Sequence, residues 1–228
     1  MPRLCRFLSI SMLLIPPIAV VASGQTIAEL EQRAKAGNAE AQFRLGLEYA
    51  VGARVPVDLG HAVKWYRMAA DREYAYAEFN LGVAYHNGLG VLKSDAESVR
   101  WYRKAAQHGN ADAAFAVARA FDLGQGVAKD KTQAVLWYGK AAEGNGNPSA
   151  EYRLATIHET GDGMPKDMAE AFFWLELASA AEKQPSRRQQ IATQRDAVAG
   201  ALPEAALLET RERVRRWNAE HPAGSRAR

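Results

Sequence analysis

Five histidines, His61, His86, His108, His158 and His221, are the side chains best suited to hold a metal or move a proton near neutral pH. Either task needs several such groups in reach of one another, as an i, i+4 pair or a His-Glu-x-x-His arrangement on a helix supplies. Here they lie one per segment, and His86 and His158 fall two repeat units apart, too far to share an ion. No serine stands in a Gly-x-Ser-x-Gly context. The glycine-rich loops Gly88-Leu89-Gly90-Val91, Gly124-Gln125-Gly126-Val127 and Gly161-Asp162-Gly163-Met164 raise the question of phosphate binding. A phosphate cradle follows a strand and aims a helix N-terminus at the anion. These loops follow helices and recur in every hairpin, so left-handed helix caps account for them better, with the Val or Met after the second glycine turned back onto the hairpin. The sequence therefore predicts no catalytic residue, no metal and no cofactor.

The elements that carry these residues are set by a period. Trp65-Tyr66, Trp101-Tyr102, Trp137-Tyr138 and Phe173-Trp174 return with steps of 36, 36 and 37 residues between tryptophans. Ala41, Ala77, Ala113 and Ala150 keep the same register, as do Phe43, Phe79, Phe115 and Tyr152, and Gly52, Gly88, Gly124 and Gly161. A period of this size marks stacked supersecondary units. In the first unit Ala41, Leu45 and Tyr49 form one helical stripe, Gly52 ends it, and Asp58 can cap a second helix carrying Ala62, Tyr66, Ala69 and Ala70. The aromatic ladder reads as core. Arg54 replaces the second loop glycine of the first copy, which predicts a differently shaped turn.

Residues 1–24 differ from the rest: Arg3 and Arg6, an apolar run from Phe7 to Ala22, then small residues. This is the pattern of a secretory signal peptide, cut after Ala22 or Gly24. An uncut membrane anchor is the alternative, but the apolar run is short for a span and holds Pro16-Pro17. Removal takes the single cysteine, Cys5, and leaves 27 basic against 26 acidic residues, a balance of +1 that gives no reason to expect nucleic acid. Helix packing alone must then hold the exported chain.

The run Ala77-Glu78-Phe79-Asn80-Leu81-Gly82-Val83-Ala84-Tyr85, with Asn87-Gly88-Leu89-Gly90-Val91, Trp101-Tyr102-Arg103-Lys104-Ala105-Ala106 and Gly109-Asn110, resembles the Sel-like repeat, a relative of the tetratricopeptide repeat. The resemblance implies an all-α fold, a right-handed α-solenoid of about four helix-turn-helix repeats of 36 residues with helical caps at both ends. The organisation expected is a signal peptide at 1–24, an N-terminal capping helix at 25–38, and repeats at 39–74, 75–110, 111–147 and 148–183. Capping helices follow at 184–220, divided at Pro203, and a flexible tail at 221–228. Some cysteine-rich secreted relatives are associated with β-lactam binding or hydrolysis; this chain lacks their paired cysteines, and that activity is not carried over.

In such repeats the partner lies against the first helix of each unit, and positions that fail to repeat mark candidate contacts. Those positions are Glu40, Tyr76 and Asp112 in one row, Val83 and Arg119 in a second, and His86, Asp122 and Glu159 in a third, with Asn87 beside them. Their mixed chemistry suits a protein or peptide segment rather than a small apolar ligand. The expectation is a non-enzymatic interaction module, periplasmic or secreted, monomeric, with no nucleic-acid partner. A polymer or β-lactam hydrolase and a self-stacking structural part are the alternatives. Arg211, Arg213, Arg215, Arg216, Arg226 and Arg228 leave open a weak contact with an acidic envelope surface.

Overall fold

The computed structural model describes residues 26–143 and 147–221; the signal peptide expected at 1–24 and the tail beyond 221 lie outside them. Among the described residues there are eleven α-helices and no strand. They are α1 (Ile27–Lys35), α2 (Ala39–Val51), α3 (Leu59–Ala70), α4 (Ala75–Asn87), α5 (Asp95–Gln107), α6 (Ala111–Leu123), α7 (Lys131–Glu143), α8 (Pro148–Thr160), α9 (Met168–Ala181), α10 (Pro185–Ala201) and α11 (Glu204–Glu220). The chain divides into two compact units, one ending at Ser98 and the other starting at Val99, within α5.

The same local chemistry builds each hairpin. Asn38, Asn110 and Asn147 cap α2, α6 and α8, their side-chain oxygens accepting from the N–H groups of Ala41, Ala113 and Ala150 at 2.8, 2.8 and 3.0 Å. Gly52, Gly88, Gly124 and Gly161 end the first helices with φ between 72° and 75°. The left-handed caps read from the sequence are therefore present in all four copies. Each loop then closes identically: the N–H of Asp58, Ser94, Asp130 or Asp167 donates to the carbonyl of Tyr49, Tyr85, Phe121 or His158 at 2.9 Å. The side chains of those four residues cap the second helices, accepting from the N–H of His61, Glu97, Gln133 and Glu170.

The second loop glycine has a different cause. A Cβ on Gly90 would come within 2.3 Å of the Leu59 carbonyl oxygen, and one on Gly163 within 2.6 Å of Lys131 Cβ. These glycines let a loop approach the start of the previous repeat's second helix. The first copy carries Arg54 at this place. Its φ is not positive, and it pairs with the buried Glu48 at 2.5 Å.

In the first unit α1 buries Leu30 and Ala34 against Ala41 and Leu45 of α2. Gly46 of α2 admits the Tyr66 ring so closely that an added Cβ would sit 2.5 Å from Cε1. Gly46→Ala is expected to lower stability by about 1–3 kcal/mol through overpacking, measured by urea denaturation. Ala118 fills the equivalent place in the third copy, so a fold that survives with a shifted Tyr66 is the expected form of the damage.

In the second unit Tyr138 packs with Ala114, Ala118, Ala141, Leu154 and Ile157, and Met164 from the loop covers that cluster, as the loop pattern suggested. The fourth copy corrects the aromatic register. Trp174 is in phase with Trp137, but the residue in phase with Tyr138 is Leu175, which is fully buried. Phe173 lies outside the ladder, meeting Trp217 of α11 edge-on with centroids 5.7 Å apart. Helices α10 and α11 both pack on α9, where Ile191 and Val198 join Phe172, Leu175 and Ala178. Pro203 separates the two helices and stands at the N-cap of α11.

Candidate interaction surfaces

The first-unit candidates cluster in part. Phe43 of α2 meets Tyr74 and Tyr76 with centroids 5.3 and 6.1 Å away, and Tyr74 lies 5.9 Å from Tyr76. Tyr76 is 37% exposed. Glu40 pairs with Arg44 one turn along α2 at 2.7 Å. Burial first, then the negative Glu40 and the neighbouring Tyr76, push the Tyr74 hydroxyl up, while Arg44 pulls it down. Glu40, Arg44, Tyr74 and Tyr76 thus form one patch of two phenol rings beside an ion pair. Tyr74 and Arg44 were not among the sequence candidates. The signal for Tyr74 was available: it occupies the place of the capping asparagines Asn38, Asn110 and Asn147, and makes no side-chain cap.

The other first-unit candidates are held by their own hairpin. Val83 is 5% exposed and belongs to the core, so failure to repeat along that row does not by itself mark surface. His86 Nδ1 lies 3.0 Å from Asp95, and Asn87 donates to the Val83 carbonyl at 3.0 Å.

In the second unit Arg119 is exposed. Asp112 accepts from the Asn147 amide at 2.7 Å. Burial raises its carboxyl, and that hydrogen bond opposes the rise. Asn147 therefore caps α8 and ties it to α6. Glu159 accepts from Gln194 of α10 at 2.5 Å.

Asp122 is only 4% exposed and sits at the centre of a network. Lys131 and Arg153 each donate to it at 2.5 Å, the Tyr138 hydroxyl donates at 3.2 Å, and Lys131 also reaches Asp162 at 2.5 Å. Burial alone would raise the Asp122 carboxyl; the hydrogen bonds and charges of Lys131 and Arg153 outweigh it and hold the group below the usual carboxylate range. The network joins α6, α7, α8 and the following loop. Its partners were invisible to a search for single non-repeating residues, because none lies in the same element as Asp122.

The remaining titratable groups are dispersed. His61 pairs with Asp58 at 2.6 Å at the start of α3, and His221 stacks on Trp217 at 4.1 Å. Among the described residues no three His, Cys, Asp or Glu side chains converge as metal ligands would. Arg213 of the basic C-terminal end is engaged by Glu170 at 2.6 Å and lies over the Phe173 ring, while Arg211, Arg215 and Arg216 are exposed. No helix among the described residues is long and apolar enough to cross a membrane.

Tandem hairpins of near-constant length, each packed on the next in sequence within its unit, define an α-helical repeat protein, a class that uses the faces of its helices as interaction surfaces. The Sel1 repeat profile matches residues 39–74, 75–110, 111–146 and 148–182, and the chain belongs to the Sel1 repeat family. Proteins of this family generally serve as protein-interaction scaffolds. Among solved structures the chain is similar to a protective antigen of uropathogenic Escherichia coli strains with an SLR fold, at 36% identity and a TM-score of 0.66 over 68% of this chain and 33% of that one. A Sel1 repeat protein from Oxalobacter formigenes is similar at 35% identity and a TM-score of 0.65, over 69% of this chain and 64% of that one. A Sel1 repeat protein from Klebsiella pneumoniae, at 18% identity with a TM-score of 0.50, shares the fold. The matches span about a third and just under two thirds of the first two proteins. No curated protein matches the chain.

Proposed function

We propose that the chain is a non-enzymatic scaffold of the bacterial envelope that holds a protein or peptide segment against the first helices of its repeats. The observation that carries this reading is the patch of Tyr74, Tyr76, Glu40 and Arg44. Two phenol rings offer stacking area at small entropic cost, and an ion pair with partly exposed ends can exchange for contacts to a backbone or a charged side chain. The family's general scaffold role supports the reading at a coarser level.

Export rests on the residues of the 1–24 segment, and a relative described as a protective antigen is in keeping with it. Fractionation and N-terminal sequencing of the expressed protein test that half of the proposal: a mature chain starting at Ser23 or Gln25 outside the cytoplasm is expected, and an uncut cytoplasmic chain refutes it.

Tyr76→Ala with Arg44→Ala tests the other half. The pair is expected to lower retention of envelope partners in pull-down at least tenfold, the effect of losing about 1.4 kcal/mol or more, with helix content unchanged by circular dichroism. Undiminished capture by the folded double variant overturns the patch as the binding surface.

A further inference from the structure

The turn before α4 breaks local rules that its counterparts keep. In the turns before α2 and α6 a glycine in the left-handed region, Gly37 at φ 91° or Gly109 at φ 87°, precedes a capping asparagine. Glu73 and Tyr74 stand at these two places. The backbone is the same: the N–H groups of Gly37, Glu73 and Gly109 donate to the carbonyls of Ala34, Ala70 and Ala106 at 3.0, 3.0 and 3.1 Å. Glu73 is therefore held at φ 59°, the one non-glycine residue with positive φ among the described residues. A side chain with a Cβ costs stability in that conformation, and Tyr74 makes no side-chain cap. Departures of this kind collect where a surface is shaped for binding.

Tyr76, in the first turn of α4, is the only exposed ring among the described Phe, Tyr and Trp side chains. Elsewhere three half-buried rings take a cation from the chain itself: Arg67 over Tyr85, Arg103 over Phe121 and Lys140 over Trp137, at 6.0, 5.1 and 4.2 Å from the centroids. Tyr76 has no such cover among the described residues, and the cations near it are committed. Arg44 pairs with Glu40, and the Arg72 guanidinium lies against the preceding turn, 2.8 Å from where a Cβ on Gly37 would stand. Glu73 is exposed, and the Glu40 side chain is 43% exposed.

We infer that the face of Tyr74 and Tyr76 takes an arginine or lysine side chain of a basic partner segment, the cation resting on the Tyr76 ring and drawn in by the carboxylates of Glu73 and Glu40. This rests on the reading of that face as the binding surface and adds the chemistry of its occupant. A guanidinium or ammonium over a tyrosine face is attracted by the ring quadrupole. The partner's cation thus does at Tyr76 what Arg67, Arg103 and Lys140 do within the chain. An acidic segment meets like charge there and is rejected.

The test is a titration of the chain with an acetylated Gly-Arg-Gly-Arg-Gly amide, followed by NMR through the Tyr76 ring resonances. A saturable shift is expected. Replacing both arginines by citrulline, which keeps the shape and loses the charge, is expected to weaken binding about fivefold. Glu73→Lys keeps a side chain in the left-handed conformation and reverses its charge, so it should leave stability unchanged and weaken peptide binding. Glu73→Gly should relieve the turn and raise the folded-to-unfolded ratio in urea denaturation about fivefold. No shift at Tyr76, equal binding of the citrulline peptide or of one with glutamate for arginine, or a Glu73→Lys chain that binds as before, overturns the inference. So does a Glu73→Gly chain that is no more stable. These outcomes leave the binding surface itself standing, since that falls only with undiminished partner capture by Tyr76→Ala with Arg44→Ala.

Discussion

Asp122→Ala is expected to destabilise the second unit by about 3 kcal/mol. That is the low end of the range for leaving a buried charge unpaired, because Lys131 and Arg153 retain partial access to solvent and can recover some hydration. The loss has a pH signature. The folded-state carboxyl is held below its ordinary value, so its contribution is fully present above the unfolded value of about 3.9 and is lost as pH falls through the folded value. The difference in unfolding free energy between Asp122→Ala and the unsubstituted protein should therefore be near its maximum at pH 7 and shrink progressively below about pH 4. A difference that stays constant down to pH 2 would show that the substitution acts through packing and not through the charge.

Trp101→Ala is expected to cost about 3–5 kcal/mol, the usual range for truncating a buried tryptophan. The ring is 7% exposed and is flanked by Lys104 Nζ and Arg100 Cζ, 4.8 and 5.0 Å from its centroid. The comparison within the ladder makes this specific. Trp65 and Trp137 occupy the same register but are only partly buried, so truncation there should cost less, on the order of 1–3 kcal/mol, in proportion to the smaller apolar area lost. Urea denaturation of the three single variants checks the order. Equal losses at Trp101 and Trp137 would mean that the period, and not burial, sets the cost.

Legibility in the sequence followed the range of the interaction. The Asp58 cap, the loop glycines and the paired helices were readable because each rests on residues a few positions apart: an aspartate three residues before the N–H from which it accepts, or a glycine where φ must be positive. The aromatic ladder was readable for three copies. In the fourth, the one-residue longer turn moved the phase, so Leu175 and not an aromatic stands with Tyr138. The candidate surface was legible only in part, because failure to repeat has several causes. Tyr76 varies on an exposed face, Val83 varies within the core, and Asp122 varies because it anchors charges from two other helices.

The sequence by itself determined that the chain is a run of Sel-like helical hairpins, and that its second loop glycine is absent only from the first copy. Those properties come from the period and from backbone conformation, both local. The tertiary structure alone decided what the variable positions do. Side chains 30 or more residues apart meet only when one hairpin packs on the next, and that packing turned Asp122, Lys131, Arg153 and Asp162 into an ion network. It also gathered Tyr74, Tyr76, Glu40 and Arg44 into one patch, because a position in a repeat fixes the direction of a side chain but not the neighbour that it finds.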